Sequence, residues 1–130
     1  MKTLRIKGKV FSGKGEGAKF IKLPWVRKQI KEKLDFIPHP GTLNIKLAED
    51  GIKHKKLLKK AKSMEISQSM GFCRGKCFKA YLVDNLECAI VVPEVKNYPE
   101  DILEIIASIN LRKKLQLKDG DIVEVKILLK

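Results

Sequence analysis

The sequence predicts a mainly β fold, a small antiparallel barrel with helices capping its openings. Three observations carry this reading. Short stretches alternate between apolar and polar residues, as where Leu4, Ile6 and Val10 are set against Arg5, Lys7 and Lys9. Strand-like and helix-like segments do not alternate regularly, which disfavours a doubly wound parallel sheet. At 130 residues the chain is near the commonest domain size, and 44% hydrophobic residues supply a core without metal or disulfide staples. Residues 1–130 are read as a single domain, with no internal repeat, linker or low-complexity stretch.

Taken in order, the first strand ends at a glycine-rich segment, Ser12-Gly13-Lys14-Gly15-Glu16-Gly17. Pro24 suits the first turn of a helix over Pro24 to Leu34, with Val26, Ile30 and Leu34 forming one apolar stripe. Pro38 and Pro40 close this region and Gly41 opens a second strand, where Leu43, Ile45 and Leu47 face away from Thr42, Asn44 and Lys46. A basic run follows from Lys53 to Lys62, with only Leu57 and Leu58 as a weak apolar stripe. Arg74-Gly75 reads as a hairpin turn before a strand from Phe78 to Val83, and Asp84-Asn85 as the turn before Cys88 to Val92. Pro99, Glu100 and Asp101 resemble a helix start, and Ile102, Ile105, Ile106 and Ile109 mark an amphipathic helix with Glu104 on its polar face. A short helix over Leu111 to Leu115, a turn at Lys118-Asp119-Gly120-Asp121 and a last strand from Ile122 to Leu128 complete the chain. One long helix is thus expected late and a shorter one early.

Composition narrows the partners. The net charge of +13 favours polyanions, either nucleic acid or a nucleoside triphosphate. No run of ~18 apolar residues spans a membrane, the N-terminus lacks the apolar core of a signal peptide, and a cytoplasmic location is expected. Cys73 and Cys77 have a spacing that could chelate zinc, but no second pair follows and His39 and His54 lie far upstream. With Cys88 they are expected as reduced, buried or half-buried small hydrophobes.

Four features could carry chemistry. Gly13, Gly15 and Gly17 lack Cβ atoms, so backbone N–H groups can approach phosphate oxygens, with Lys14 and Lys19 adding charge. The pattern is neither a Walker A loop nor a dinucleotide fingerprint, and a plain turn is the alternative. Thr42 and Asn44 project from one strand face as two neutral oxygen ligands, which suits Mg²⁺ bridged to substrate phosphates; backbone hydrogen bonding at a strand start is the alternative. Glu104 could accept a hydroxyl proton if its face lines a pocket, and is otherwise a solvated glutamate. The Lys53–Lys62 run is either a solvated face or a nucleic-acid patch, and lacks interleaved aromatics.

The order of these features resembles the archaeal CTP-dependent riboflavin kinases. The resemblance rests on the segment from Gly8 to Gly17, on Pro40-Gly41-Thr42-Leu43-Asn44-Ile45-Lys46-Leu47, and on Ala89-Ile90-Val91-Val92-Pro93. It continues through Leu103-Glu104-Ile105-Ile106-Ala107, Asn110-Leu111-Arg112 and Leu117-Lys118-Asp119-Gly120-Asp121. It implies a cradle-loop, Greek-key-like barrel of six strands. By position it implies that Phe11, Ser12, Gly13, Lys14, Gly15 and Glu16 wrap the nucleotide and that Asn110, Leu111, Arg112 and Lys113 complete its site. It further implies that Thr42 and Asn44 hold Mg²⁺ and that Glu104 contacts the flavin. The family's small polar residue after the Val-Val-Pro strand is replaced here within Val95-Lys96-Asn97-Tyr98, so Lys96 or Tyr98 takes its place. Residues 48 to 71 match only loosely.

The implied reaction moves the γ-phosphate of CTP to the 5′-hydroxyl of riboflavin, giving FMN and CDP, with Glu104 as the group that orients or deprotonates the hydroxyl. The implied partners are CTP/CDP and riboflavin/FMN, with a monomeric chain, no membrane and no nucleic acid. The rival reading is a basic nucleic-acid-binding module of swapped-hairpin type, which leaves the glycine loop and the Thr42/Asn44 pair unexplained. A flavin-binding protein without catalysis is a second rival.

Overall fold

The computed structural model describes residues 2–13, 19, 21–59, 61, 64–66, 75–94 and 97–129. Strands β1 (Lys2–Phe11), β2 (Leu43–Leu47), β4 (Gly75–Leu82), β5 (Leu86–Pro93), β6 (Ile102–Ile106) and β7 (Ile122–Leu129) pair antiparallel in the order β4-β5-β6-β2-β1-β7. A short β3 (Met64–Ile66) extends the sheet from the far side of β4. Pairing of Ala80 with Ile127 and Tyr81 with Lys126 joins β4 to β7 and closes six strands into a barrel. The α-helices α1 (Pro24–Leu34), α2 (Glu49–Lys56) and α3 (Leu111–Lys114) accompany it, with short 3-10 turns at Leu57–Lys59 and Val83–Asn85.

The period-2 pattern decides which residues fill the barrel. Ile6 and Val10 of β1, Leu43, Ile45 and Leu47 of β2, Phe78 and Ala80 of β4, Leu103 and Ile105 of β6, and Val125 and Ile127 of β7 all point inward into one core. Gly8 takes an inward position on β1, opposite Leu47 of β2. A Cβ there would lie 2.9 Å from the Lys46 carbonyl oxygen and 3.0 Å from the Ile45 Cβ.

Helix α1 builds a second core on the barrel's outer face. Its stripe of Val26, Ile30 and Leu34 packs with Ile21 against Cys77, Ala89, Val91 and Ile106. Each of the valine, leucine and isoleucine side chains contributes about 1.5–3 kcal/mol on burial. Pro24 stands in the helix's first turn, and Asp35 ends it in the left-handed region at φ 62° while its N–H bonds the Lys31 carbonyl.

The structure corrects several expectations. The segment Pro99 to Ile109 does not form a helix, because Ile102–Ile106 is strand β6, paired to β2 on one side and to β5 on the other. Its isoleucines are buried on both faces, inward in the barrel and outward against α1, so they satisfy helical and strand spacing alike. The long helix is therefore the early one. Gly75 is no turn residue; it opens β4 opposite Pro93, while Arg74 lies outside the described residues. Part of the basic run forms the end of α2, a helix with Glu49 and Asp50 in its first turn and Lys53, His54, Lys55 and Lys56 in its last. That charge order suits the helix dipole and was the available signal for it. No helix among the described residues is long and apolar enough to cross a membrane.

Candidate active site

Strand register lines up Val91, Glu104, Asn44 and Phe11 as successive neighbours across β5, β6, β2 and β1. All four project outward, opposite in parity to the barrel core. Helix α1 covers the Val91 end of this row. In the middle of the row Glu104 is 0% exposed and Asn44 6% exposed, so two polar side chains lie buried side by side. A buried carboxylate demands partners, and two hydroxyls supply them. Gly41, at φ 117°, turns the chain into β2 so that the Thr42 hydroxyl donates to Glu104 Oε1 at 2.8 Å, with Asn44 Oδ1 also 3.1 Å away. From the opposite side the Tyr98 hydroxyl donates to Glu104 Oε2. The Asn44 amide donates to the Gly13 carbonyl at 3.4 Å, tying the first residues of the glycine-rich segment to the same row.

A second constellation adjoins Thr42. Asn110 caps α3, its side-chain oxygen accepting from the Lys113 N–H at 3.2 Å. This sends Arg112 back toward the end of β1, where it donates to Ser12 Oγ at 3.0 Å and to Asp119 Oδ1 at 2.8 Å. The Ser12 hydroxyl in turn donates to the Asp119 carboxylate at 3.0 Å. Hydrogen bonds from Arg112 and Ser12 hold the Asp119 carboxyl below its usual 3.8. Backbone bonds between Val10 and residues 120 and 121 anchor this turn, with Gly120 at φ 95°. Thr42, Asn110, Leu111 and Arg112 line one cleft of about 190 Å³ with His39 and Pro40.

A larger cavity, about 500 Å³, opens at the end of the barrel beneath α2. Phe78 and Val92 from the barrel mouth and Ile52 and Leu58 from above give it apolar walls, while Lys55, Lys59, Lys76 and Tyr98 bring polar ends. Lys55 is half-buried: its ammonium donates to the carbonyls of Pro99 at 3.0 Å and Ile102 at 2.6 Å and stands 4.9 Å above the Tyr98 ring. Burial lowers the Lys55 pKa from 10.5, against the opposing pull of Asp101, Glu104 and Glu100.

Thr42, Asn44, Tyr98 and Glu104 thus converge, and Ser12, Gly13, Asn110 and Arg112 meet beside them. Glu104 departs from expectation in its setting, on a buried strand instead of a helix's polar face. Leu111 is buried in the barrel core beneath the second constellation, and Lys113 is exposed, contributing its backbone N–H to the Asn110 cap. Phe11 closes the row on β1. Lys14, Gly15, Glu16 and Lys96 lie outside the described residues. Sequence reasoning missed Asp119 as a partner of Arg112 and Lys55 as a partner of Tyr98, since no local pattern links them. Thr42 Oγ1 and Asn44 Oδ1 fit a small divalent cation: 3.1 Å is close to the ~2.9 Å between adjacent oxygens in an octahedron of 2.0–2.1 Å bonds. No group of three or more His, Cys, Asp or Glu that could hold a metal occurs among the described residues, so such a cation would draw its other ligands from phosphate and water.

Residues 10–127 match the family model CTP-dep_RFKase, described as "Domain of unknown function DUF120". The chain belongs to the CTP-dependent riboflavin kinase family. Proteins named riboflavin kinase from Archaeoglobus fulgidus and Pyrobaculum aerophilum are 42% and 46% identical to it, each over 98% of this chain and over 56% and 62% of their own lengths. A third, from Methanosarcina barkeri, is 43% identical over 95% of this chain and 56% of its own. The chain therefore spans somewhat over half the length of these relatives.

Proposed function

We propose that this chain transfers the γ-phosphate of CTP to the 5′-hydroxyl of riboflavin, giving FMN and CDP. One observation carries the reading: the Thr42–Glu104–Tyr98 bridge joins two cavities of different character. Thr42 lines the smaller cleft with Asn110 and Arg112, Tyr98 lines the larger and partly apolar one, and Glu104 hydrogen-bonds to both. A phosphate donor on one side and a flavin ring on the other would meet at Glu104. CTP as donor is supported by the matching family's name.

In this reading the Asn110–Lys113 turn, Ser12 and the glycine-rich segment from Phe11 to Glu16 hold the nucleotide, with Arg112 available to phosphate oxygens. Thr42 and Asn44 hold Mg²⁺, which when bound neutralises charge on the phosphates. The flavin ring packs on Phe78 and Val92. Its ribityl chain then runs toward Glu104, past Tyr98. The two Glu104 oxygens each accept a hydroxyl, from Thr42 and from Tyr98. The 5′-hydroxyl of the substrate is accepted at Glu104 beside the Tyr98 hydroxyl, which stays in place as part of the cavity wall. As the new O–P bond forms and the bond to the CDP oxygen breaks, the proton of the 5′-hydroxyl passes to Glu104. Positioning and charge neutralisation supply most of the acceleration in such transfers.

The test is a turnover assay with riboflavin, Mg²⁺ and each nucleoside triphosphate in turn, FMN being read by chromatography. The expected result is FMN with CTP. FMN formed only with ATP would overturn the donor, and no FMN with any triphosphate would overturn the kinase reading.

A further inference from the structure

The basic run that the family resemblance leaves unexplained sends one lysine inward. Lys53 and Lys56 of α2 are exposed, whereas Lys55 crosses from α2 to the segment between Asn97 and Ile102. Its ammonium holds the carbonyls at both ends of the Pro99–Ile102 stretch and covers the face of the Tyr98 ring. That stretch connects a residue in an unusual conformation, Asn97 at φ 64°, to the first residue of β6. The stretch is short and forms no strand ladder until Ile102, so its shape depends on what grips it. Across the ring from this ammonium the Tyr98 hydroxyl reaches Glu104.

We infer that Lys55 is a positioning residue for flavin binding, holding Tyr98 against Glu104 and shaping the cavity wall on which the flavin ring rests. The inference rests on the flavin reading above. Three features of the geometry support it. The two carbonyls fix the ammonium at a point that no surface lysine would hold, because their hydrogen bonds replace the water lost on burial. A cation over the ring face favours that ring orientation over one turned into the cavity. Lys55 also lines the cavity itself with Ile52 and Tyr98, so moving it changes the wall directly. Lys55 does not line the cleft of Thr42 and Arg112. Lys55 should thus govern riboflavin affinity and leave CTP affinity alone.

The experiment compares Lys55→Met, which keeps the apolar stem, with Lys55→Arg, which keeps charge and donors, and with Lys53→Met as a control of equal net charge. Riboflavin affinity is read from quenching of its own fluorescence without nucleotide, and KM is measured for riboflavin and for CTP. Lys55→Met is expected to weaken riboflavin binding and raise its KM by about tenfold or more. KM for CTP should stay within twofold, Lys55→Arg should restore much of the loss, and Lys53→Met should match the parent. Equal rises in both KM values, or a parent-like Lys55→Met, would overturn the inference. Should Lys55→Met fail to fold, Lys55→Arg and Lys55→Gln decide: the inference requires the second to lose riboflavin affinity and the first to keep it. A parent protein that neither binds riboflavin nor forms FMN would instead bring down the flavin reading itself.

Discussion

Thr42 and Glu104 stand sixty-two residues apart in the chain, yet the hydroxyl of one donates to the carboxylate of the other at 2.8 Å. The contact exists because β2 and β6 are neighbours in register, Asn44 lying opposite Glu104. It couples the Thr42/Asn44 pair proposed to hold Mg²⁺ to the carboxylate proposed to accept the substrate hydroxyl.

Removing either oxygen of the Thr42/Asn44 pair should weaken cation use. Thr42→Ala and Asn44→Ala are each expected to slow FMN formation at limiting Mg²⁺ by about 10–100-fold or more, in line with the loss of ligand-shell contacts at metal sites. Thr42→Ser should stay close to the parent. The dependence of rate on Mg²⁺ concentration checks this, and parent-like curves for both alanine variants would remove the metal assignment.

Glu104→Gln keeps shape and removes the base. A general-base role predicts a fall in turnover of about 10²–10⁴-fold. Full turnover at several pH values, whatever happens to flavin affinity, would remove Glu104 from the chemistry. Tyr98→Phe tests the other side of the carboxylate: losing a donor to a buried acceptor should lower stability by about 1–3 kcal/mol, read as a shifted denaturant midpoint.

Arg112 depresses the pKa of Asp119, together with Ser12. Because the folded value lies below the unfolded one, the stabilising effect is present above the unfolded pKa and is lost as pH falls through the folded value. Asp119 is fully exposed, so the effect on stability is small and the titration itself is the better readout. In Arg112→Ala the Asp119 carboxyl should titrate nearer 3.8, as followed by NMR, while nucleotide affinity drops.

Cys77 and Cys88 are buried, and desolvation pushes both thiols up to about 12. In a Cys73→Ser background neither should react with an aromatic disulfide reagent at pH 8 until denaturant is added. Rapid labelling of the folded protein would contradict the packing of Cys77 beneath α1.

The sequence by itself determined a good deal. Period-2 alternation in β1, β2 and β7 assigned their inward residues, because a strand half-buried in a barrel writes its environment into every second position. The spacing of Val26, Ile30 and Leu34 after Pro24 assigned α1 for the same local reason. Thr42 and Asn44 were legible as a pair because a single strand sets their separation. What only the tertiary structure decided is whatever depends on which elements are neighbours. Strand β6 read as a helix because isoleucines buried on both faces satisfy either period, and only its pairing with β2 and β5 resolves them. That pairing also turned Glu104 from a surface carboxylate into a buried one held by Thr42 and Tyr98. Lys55 looked like one lysine in a solvated run until α2 was laid across the barrel's end. Local pattern reports what each residue's own backbone dictates; partners sixty-two residues away along the chain, as Thr42 and Glu104 are, leave no mark in it.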